Sequence, residues 1–416
     1  MTGSDGAGGG VPPWLNRRFL VLAGLWILSV AGNAYFIVPA SVFPLIMTDL
    51  AIGPATVGWV VSAMVGVQVL TGVPIGMGLD RRNNRLLVAI GSIGVILGCV
   101  WGWRVAVDFP ALLASRMAAG VALMVVWNAG VNIVGRSFPD STRATAVAVF
   151  TTSAPAGLAT GQITGPLIAE SFGWPAIFVA YAPVVAVGLV VFLAASAGDG
   201  PAGGSPAVTA DDRASVADFR HALRSQGLWH VGTVMFLAFS LYIFFNSWMP
   251  SYLADRFGMS LADSGVQVAL FPAVGLVSRS LGGYVSDRYF ESRRRPVEVT
   301  AFLVTTPVVL LVGFVGFPVV VAALLVVAGF FIQLAIALLY THARELVDES
   351  VAATGVSFVS STALLGSFSA PLVAGALLQW SGGYLPAFLS AGAAATAGLV
   401  LAWTVPERAR PSGLQS

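Results

Sequence analysis

The chain has 416 residues, of which 57% are hydrophobic and only 10% charged, with a mean hydropathy of +0.85. A soluble domain carries about 25% charged residues, so this chain cannot cover its surface in water and most of it must be solvated by lipid. The net charge of +2 does not point to nucleic acid, the single Cys99 excludes an intrachain disulfide, and His221, His230 and His342 form no cluster with acids or cysteine, so no metal or cofactor is expected.

Residues 1–17 are Gly-rich and read as a disordered N-terminus. Apolar runs long enough to span a bilayer follow at 18–44, 56–79, 86–106, 109–134, 143–169 and 175–195. The first run is too long for a cleaved signal and has a counterpart in the second half. Residues 196–227 mix Gly, Pro, Ser and charge and read as a linker, with a short amphipathic helix near 214–225. Six more runs occupy 228–253, 262–286, 297–316, 318–341, 351–378 and 384–405, and 406–416 form a tail. The expected fold is an all-α membrane protein with twelve transmembrane helices in two pseudo-symmetric six-helix bundles, 18–195 and 228–405. All basic residues are Arg. With the N-terminus inside, 17 of the 21 fall on cytoplasmic segments, two (Arg104 and Arg256) lie outside, and Arg116 and Arg279 fall within the membrane. The linker, the tail and both termini are therefore expected in the cytoplasm, and the protein in the cell membrane.

The halves repeat. "GMGLDR" at 76–81 matches "GYVSDR" at 283–288 with an offset of 207, which also places Gly58 on Gly265. Pro44 and Asp49 fall on Pro250 and Asp255 with an offset of 206, and Arg136 falls on Arg344 with an offset of 208. Such a repeat is a common transporter plan, with the solute site between the halves near the midplane. Gly76 and Gly283 would let a helix approach its neighbour closely. Asp80 and Asp287 end their helices where the helix dipole disfavours an acid without a partner. Two equivalent latches, Asp80–Arg136 and Asp287–Arg344, would hold the inner side shut in one state and break in the other. Gly157, Gly161 and Gly165 share one helix face and precede Pro166, a pattern for tight packing and a bend.

These residues carry a family resemblance over nearly the whole chain. Gly76, Asp80, Arg81 and Arg85 in "GMGLDRRNNR" resemble the signature loop between helices two and three of the major facilitator superfamily, and Asp287 and Arg288 stand at the positions that the internal repeat matches to Asp80 and Arg81. "RMAAG" at 116–120 is similar to that family's fourth-helix Arg motif, and "GLATGQITGP" at 157–166 to its fifth-helix Gly-Pro motif, which the family associates with antiporters. "RSLGGYVSDR" is similar to the eighth helix of the nitrate/nitrite porter branch, in which the repeat-related position on helix two is also Arg; here it is Gly72. The resemblance implies alternating access, and an anion larger than nitrate.

A permanently protonated Arg inside a membrane usually faces a cavity and serves function. Every acid lies in a loop or within about a turn of a segment end, so neither Arg116 nor Arg279 has a buried acidic partner. The missing partner is then the solute, and an Arg fork suits carboxylate or oxyanion groups. Asn33, Tyr35, Gln68, Tyr242, Asn246 and Gln333 are further candidates to line the path. No nucleotide-binding loop and no nucleophile–base pair is present, so neither an ATP-driven pump nor an enzyme is expected. The expected function is secondary or facilitated transport of a small organic or inorganic anion by a monomer in the lipid bilayer. The alternatives are efflux of lipophilic compounds, opposed by the lack of a buried acid, and a non-transporting sensor, opposed by the paired gating loops.

Overall fold

The computed structural model of the protein describes residues 17–79, 83–197, 225–347 and 352–406. The N-terminal segment, the loop with Asp80 and Arg81, the expected helix near 214–225 and the tail with Arg408 and Arg410 lie outside them. Helices fill both halves. α1 (Arg17–Ile37) passes through a 3-10 turn, Val38–Val42, into Phe43–Leu50; α2 (Trp59–Leu79) follows a single turn, Pro54–Val57. α3 is Asn84–Arg104 and α4 Phe109–Ser137. α5 (Ser153–Phe172) is preceded by Asp140–Thr151, and α6 (Ala182–Ala195) by Ala176–Val179. In the second half lie α7 (Gln226–Phe257), α8 (Leu261–Ala273 continued by Gly275–Tyr289), α9 (Arg295–Val312), α10 (Pro318–Glu345), α11 (Ala352–Ser381) and α12 (Leu385–Thr404).

Local chemistry sets many of these boundaries. Asn83, Asp108, Ser225 and Ser260 each accept a backbone N–H at the start of α3, α4, α7 and α8. Gly258, at φ 65°, ends α7. Eleven of the described helical stretches are long and apolar enough to cross a membrane. α5 falls short because Gly, Thr and Gln interrupt its apolar face, and those small residues are what let it pack between neighbours. A Cβ on Gly157 would lie 2.5 Å from the Val30 carbonyl and one on Gly161 would lie 2.8 Å from that of Ala34, while one on Gly165 would overlap Ser41. The glycine ladder therefore lays α5 directly on α1, as its spacing predicts.

The repeat extends to the loops. Gly173 and Gly382 both take positive φ, 79° and 69°. Beyond them Trp174 donates its indole N–H to Asp49 at 2.9 Å, and Tyr384 donates its hydroxyl to Asp255 at 2.6 Å. Asp49 and Asp255 are the acids that the sequence offset pairs. Burial, and then the Asp255 carboxylate, push the Tyr384 phenol up, so it remains a donor.

The halves meet on the face opposite the termini. Phe43 packs on Trp248 at 5.2 Å between ring centres, and Trp59 on Phe368 at 5.8 Å. Ser62 donates to the Phe368 carbonyl at 2.8 Å, and the Ala55 N–H to Gln379 at 3.1 Å. The Gln162 amide donates to the Asn246 carbonyl at 2.6 Å. Among the described residues no comparable seam joins the halves at the termini-bearing ends of α4 and α5 with those of α10 and α11.

Candidate functional site

The two membrane arginines have different surroundings. Arg116, in the second turn of α4, is 0% exposed. Its Nε donates to the Val60 carbonyl at 3.0 Å, Nη1 to that of Tyr35 at 2.8 Å and Nη2 to that of Phe36 at 2.6 Å. The backbone explains why those carbonyls are available. Tyr35 would serve the N–H of residue 39, but that residue is Pro39, and the helix gives way there to a 3-10 turn. Arg116 thus caps the break in α1 and ties it to α2. Its plane also lies 4.5 Å from the centre of the Tyr35 ring. Both residues are withdrawn as solute ligands: Arg116 is occupied by backbone, and Tyr35 is fully buried with its hydroxyl toward the Gly98 carbonyl of α3 at 3.4 Å.

Arg279 sits in the second segment of α8 and is only partly buried. Its Nε donates to Gln333 Oε1 of α10 at 3.2 Å. Gln333 is held in turn, because its amide donates to the carbonyls of Phe271 and Pro272 at 3.1 and 3.2 Å. Those carbonyls lie just before the break at Val274 between the two segments of α8. The break thus fixes Gln333, and Gln333 aims Arg279. Neither η nitrogen of Arg279 forms a hydrogen bond with the described residues. The guanidinium lies 5.7 Å from the centre of the Tyr242 ring on α7, and the buried Tyr242 hydroxyl has no hydrogen-bond partner. One turn on, Asn246 is fully buried, donates to the Tyr242 carbonyl at 2.8 Å and leaves its own side-chain oxygen unpaired.

The structure therefore brings together Arg279, Gln333 and Tyr242, with Asn246 a turn away. It does not bring Asn33 or Gln68 there. Asn33 donates to the Ser29 carbonyl in its own helix at 2.8 Å, and Gln68 to the Gly120 carbonyl of α4 at 3.0 Å. Sequence reasoning missed Gln162, whose side chain crosses to the second half. The signal was present in "GLATGQITGP", where a polar residue stands amid packing glycines.

The gating residues also need correction. Asp287 does not take Arg344. Its carboxylate binds Arg294 Nη1 at 2.7 Å, and the same guanidinium reaches Glu345 at 3.0 Å. Partial burial lowers the proton affinity of Arg294, but the hydrogen bonds it donates to Glu345 and then Asp287 outweigh it and hold the group charged. Arg136 and Arg344 are exposed in the last turns of α4 and α10, and Arg288 is exposed at the end of α8. A Cβ on Gly283 would meet nothing within 4 Å, so this glycine is not a close-packing point. Arg85 reaches the Leu193 carbonyl near the end of α6 at 3.4 Å. Asp80 and Arg81 lie outside the described residues, so the Asp80–Arg136 pair does too.

Two halves of six helices, related by an internal repeat and closed at one face, are the architecture the resemblance implies. The sequence profile of the Major Facilitator Superfamily matches residues 23–315, well over half of the chain. The chain belongs to the Major Facilitator Superfamily. As a superfamily member it is a transporter that works by alternating access, and not an enzyme. It is 25% identical over 430 aligned positions to a hexuronate transporter of Bacillus subtilis, covering 96% of each chain. It is 23% identical over 280 positions to a nitrite extrusion protein of the same organism, covering 66% of this chain and 67% of that one. The fold matches a bacterial homologue of the human lysosomal transporter Spinster in an inward-facing, unoccupied conformation. That match has a TM-score of 0.75 at 18% identity and covers 95% of this chain and 97% of the other.

Proposed function

We propose that this superfamily transporter carries a small anion, and that Arg279 is the group that binds it. The observation behind this is the guanidinium itself: one nitrogen is anchored by Gln333, the Tyr242 side chain lies beside the group, and no acid among the described residues pairs with it. A charged side chain held in a membrane without a partner costs about 2.5–3.5 kcal/mol at a helix centre, and an anion that binds it offsets that cost. Arg116 is occupied by carbonyls, and Gly72 stands at the repeat-related position to Arg279. A single open fork suits one carboxylate or oxyanion group. The names of the two relatives, a hexuronate carrier and a nitrite carrier, fit an anion. Tyr242 forms an aromatic wall beside that group. Asn246 stiffens the same turn of α7.

The arginine distribution supports a reading with both termini in the cytoplasm and the protein in the cell membrane. In that orientation the closed seam faces outward, and Arg279 lies nearer the cytoplasmic end of α8. The test is thermal stabilisation of the purified protein by a panel of monocarboxylates, sugar acids, inorganic oxyanions and lipophilic cations. A ligand that binds only the folded state raises the melting temperature. Stabilisation by an anion class, lost in Arg279→Gln, is the expected result. Stabilisation by cations that survives Arg279→Gln refutes the reading.

A further inference from the structure

The termini-bearing end of the second half holds a buried charged pair that the solute site does not use. Glu298, in the first turn of α9, is 0% exposed. His342, in the last turn of α10, is 2% exposed. The imidazole Nδ1 lies 2.9 and 3.2 Å from the two Glu298 oxygens, and Nε2 lies 3.3 Å from the Pro406 carbonyl just beyond α12. Pro406 is itself seated on α7, where a Cβ on Gly227 would lie 2.9 Å from its Cγ. The start of α9, the end of α10 and the chain after α12 therefore meet at one imidazole, and the start of α7 packs on Pro406.

A neutral imidazole has one N–H. Both ring nitrogens here face acceptors, a carboxylate and a carbonyl. Against an ionised carboxylate, either neutral tautomer sets a lone pair against a lone pair at one of the two contacts, so both contacts are satisfied only while the Glu298–His342 pair holds the second proton between them. Loss of that charge also strands a buried carboxylate, which is costly. The other charged groups nearby are already committed. Glu345 on α10 and Asp287 on α8 share Arg294 at the start of α9. His230 on α7 is bonded to the Gln226 carbonyl within its own turn. The last turn of α12 carries no charged side chain.

We propose that Glu298 and His342 form a proton-binding clasp that fastens the chain after α12 to the termini-bearing end of the second half. The ligand is a proton exchanged with the solution on that side. The clasp is shut while His342 carries two ring protons and Glu298 is ionised. It is lost as pH rises through the imidazole titration, because deprotonation removes one of the two N–H donors. Release loosens two connections at once, the exit into the C-terminal tail and the seat of Gly227, where the linker between the halves enters α7. The clasp does not depend on Arg279 or on the identity of the solute.

Amide hydrogen exchange of the purified full-length protein tests this. The peptides covering 401–406 and 225–230 are followed from about pH 5 to about pH 8, the range in which histidine ordinarily changes charge, with times scaled for intrinsic exchange. Protection of both is expected to fall together by about ten-fold or more as pH rises, while 173–178 on the opposite face stays constant. His342→Gln, which cannot carry the charge, is expected to flatten the profile. Glu298→Gln, which keeps an acceptor without its charge, is expected to move the loss to lower pH. Flat wild-type protection overturns the proposal even if neither variant folds. A pH dependence that persists in His342→Gln overturns it as well.

Discussion

Gly58 and Gly265 hold repeat-related places at the outer ends of α2 and α8, and each faces backbone of the other half. A Cβ on Gly58 would lie 2.7 Å from the Pro371 oxygen and 3.1 Å from its carbonyl carbon. One on Gly265 would overlap the Gln162 carbonyl oxygen and lie 3.2 Å from Pro166 Cγ. Backbone cannot swing away as a flexible side chain can, so the helices must part. That penalty falls on the state in which the seam is shut and vanishes when the halves separate there. Overpacking of this kind costs about 1–3 kcal/mol per site. The two sites share no partner, so their effects add to about 2–6 kcal/mol in Gly58→Ala/Gly265→Ala. At about 1.4 kcal/mol per factor of ten, even the lower bound moves the open–shut balance by about 30-fold. Ser62 reports the change: it is 0% exposed and bonds across the seam. A Ser62→Cys probe in a Cys99→Ser background should react with an impermeant maleimide from the face opposite the termini about ten-fold faster or more in the double variant. An unchanged rate would refute the claim that these glycines set the seam.

Three other outcomes follow from the geometry. Arg116→Lys offers a point donor where a fork serves three carbonyls; each carbonyl left unsatisfied costs about 1–3 kcal/mol. It should therefore lower the melting temperature by several degrees while anion stabilisation through Arg279 persists; a variant as stable as the parent would contradict the capping role. Gln333→Leu removes the anchor of Arg279 and the donor to Phe271 and Pro272, so it should abolish anion stabilisation nearly as fully as Arg279→Gln, checked in the same thermal assay. Arg294→Gln should lower the melting temperature more than Arg344→Gln, because Arg294 alone bridges Asp287 and Glu345, and a larger effect of Arg344→Gln would restore the latch inferred from the repeat.

The spans, the repeat and the glycine ladder were legible because each is a periodic property of the chain. The difference between the two membrane arginines was not. Arg116 and Arg279 stand in similar apolar runs, each about two turns from a helix end. What separates them is whether another helix offers bare carbonyls at the right height. For Arg116 the clue lay far away in sequence, in Pro39, which leaves the Tyr35 carbonyl without its helical donor. Asp287 was misassigned for a related reason. Repeat symmetry picked Arg344, whereas the loop before α9 supplied Arg294. Buried Glu298 was missed because distance along the chain from a helix end says nothing about what covers that end.

The same contrast bears on mechanism. The seam is built symmetrically: Gly58 and Gly265 each admit the backbone of the opposite half, and Trp174 and Tyr384 each hold the acid that the repeat predicts. A rocking motion needs that symmetry, because either half must be able to serve as the pivot for the other. The charged site is not symmetric. Arg279 has Gln333 and Tyr242 about it, while the matching place on α2 is Gly72, where a Cβ would meet only the Met124 methyl at 2.9 Å. A solute bound between the halves would therefore place its charge against the second half and its uncharged body against the first. It would differ in affinity between the two states only through what the first half contributes. Substitutions at Gly72 should then alter which anions bind, and those at Arg279 whether any binds.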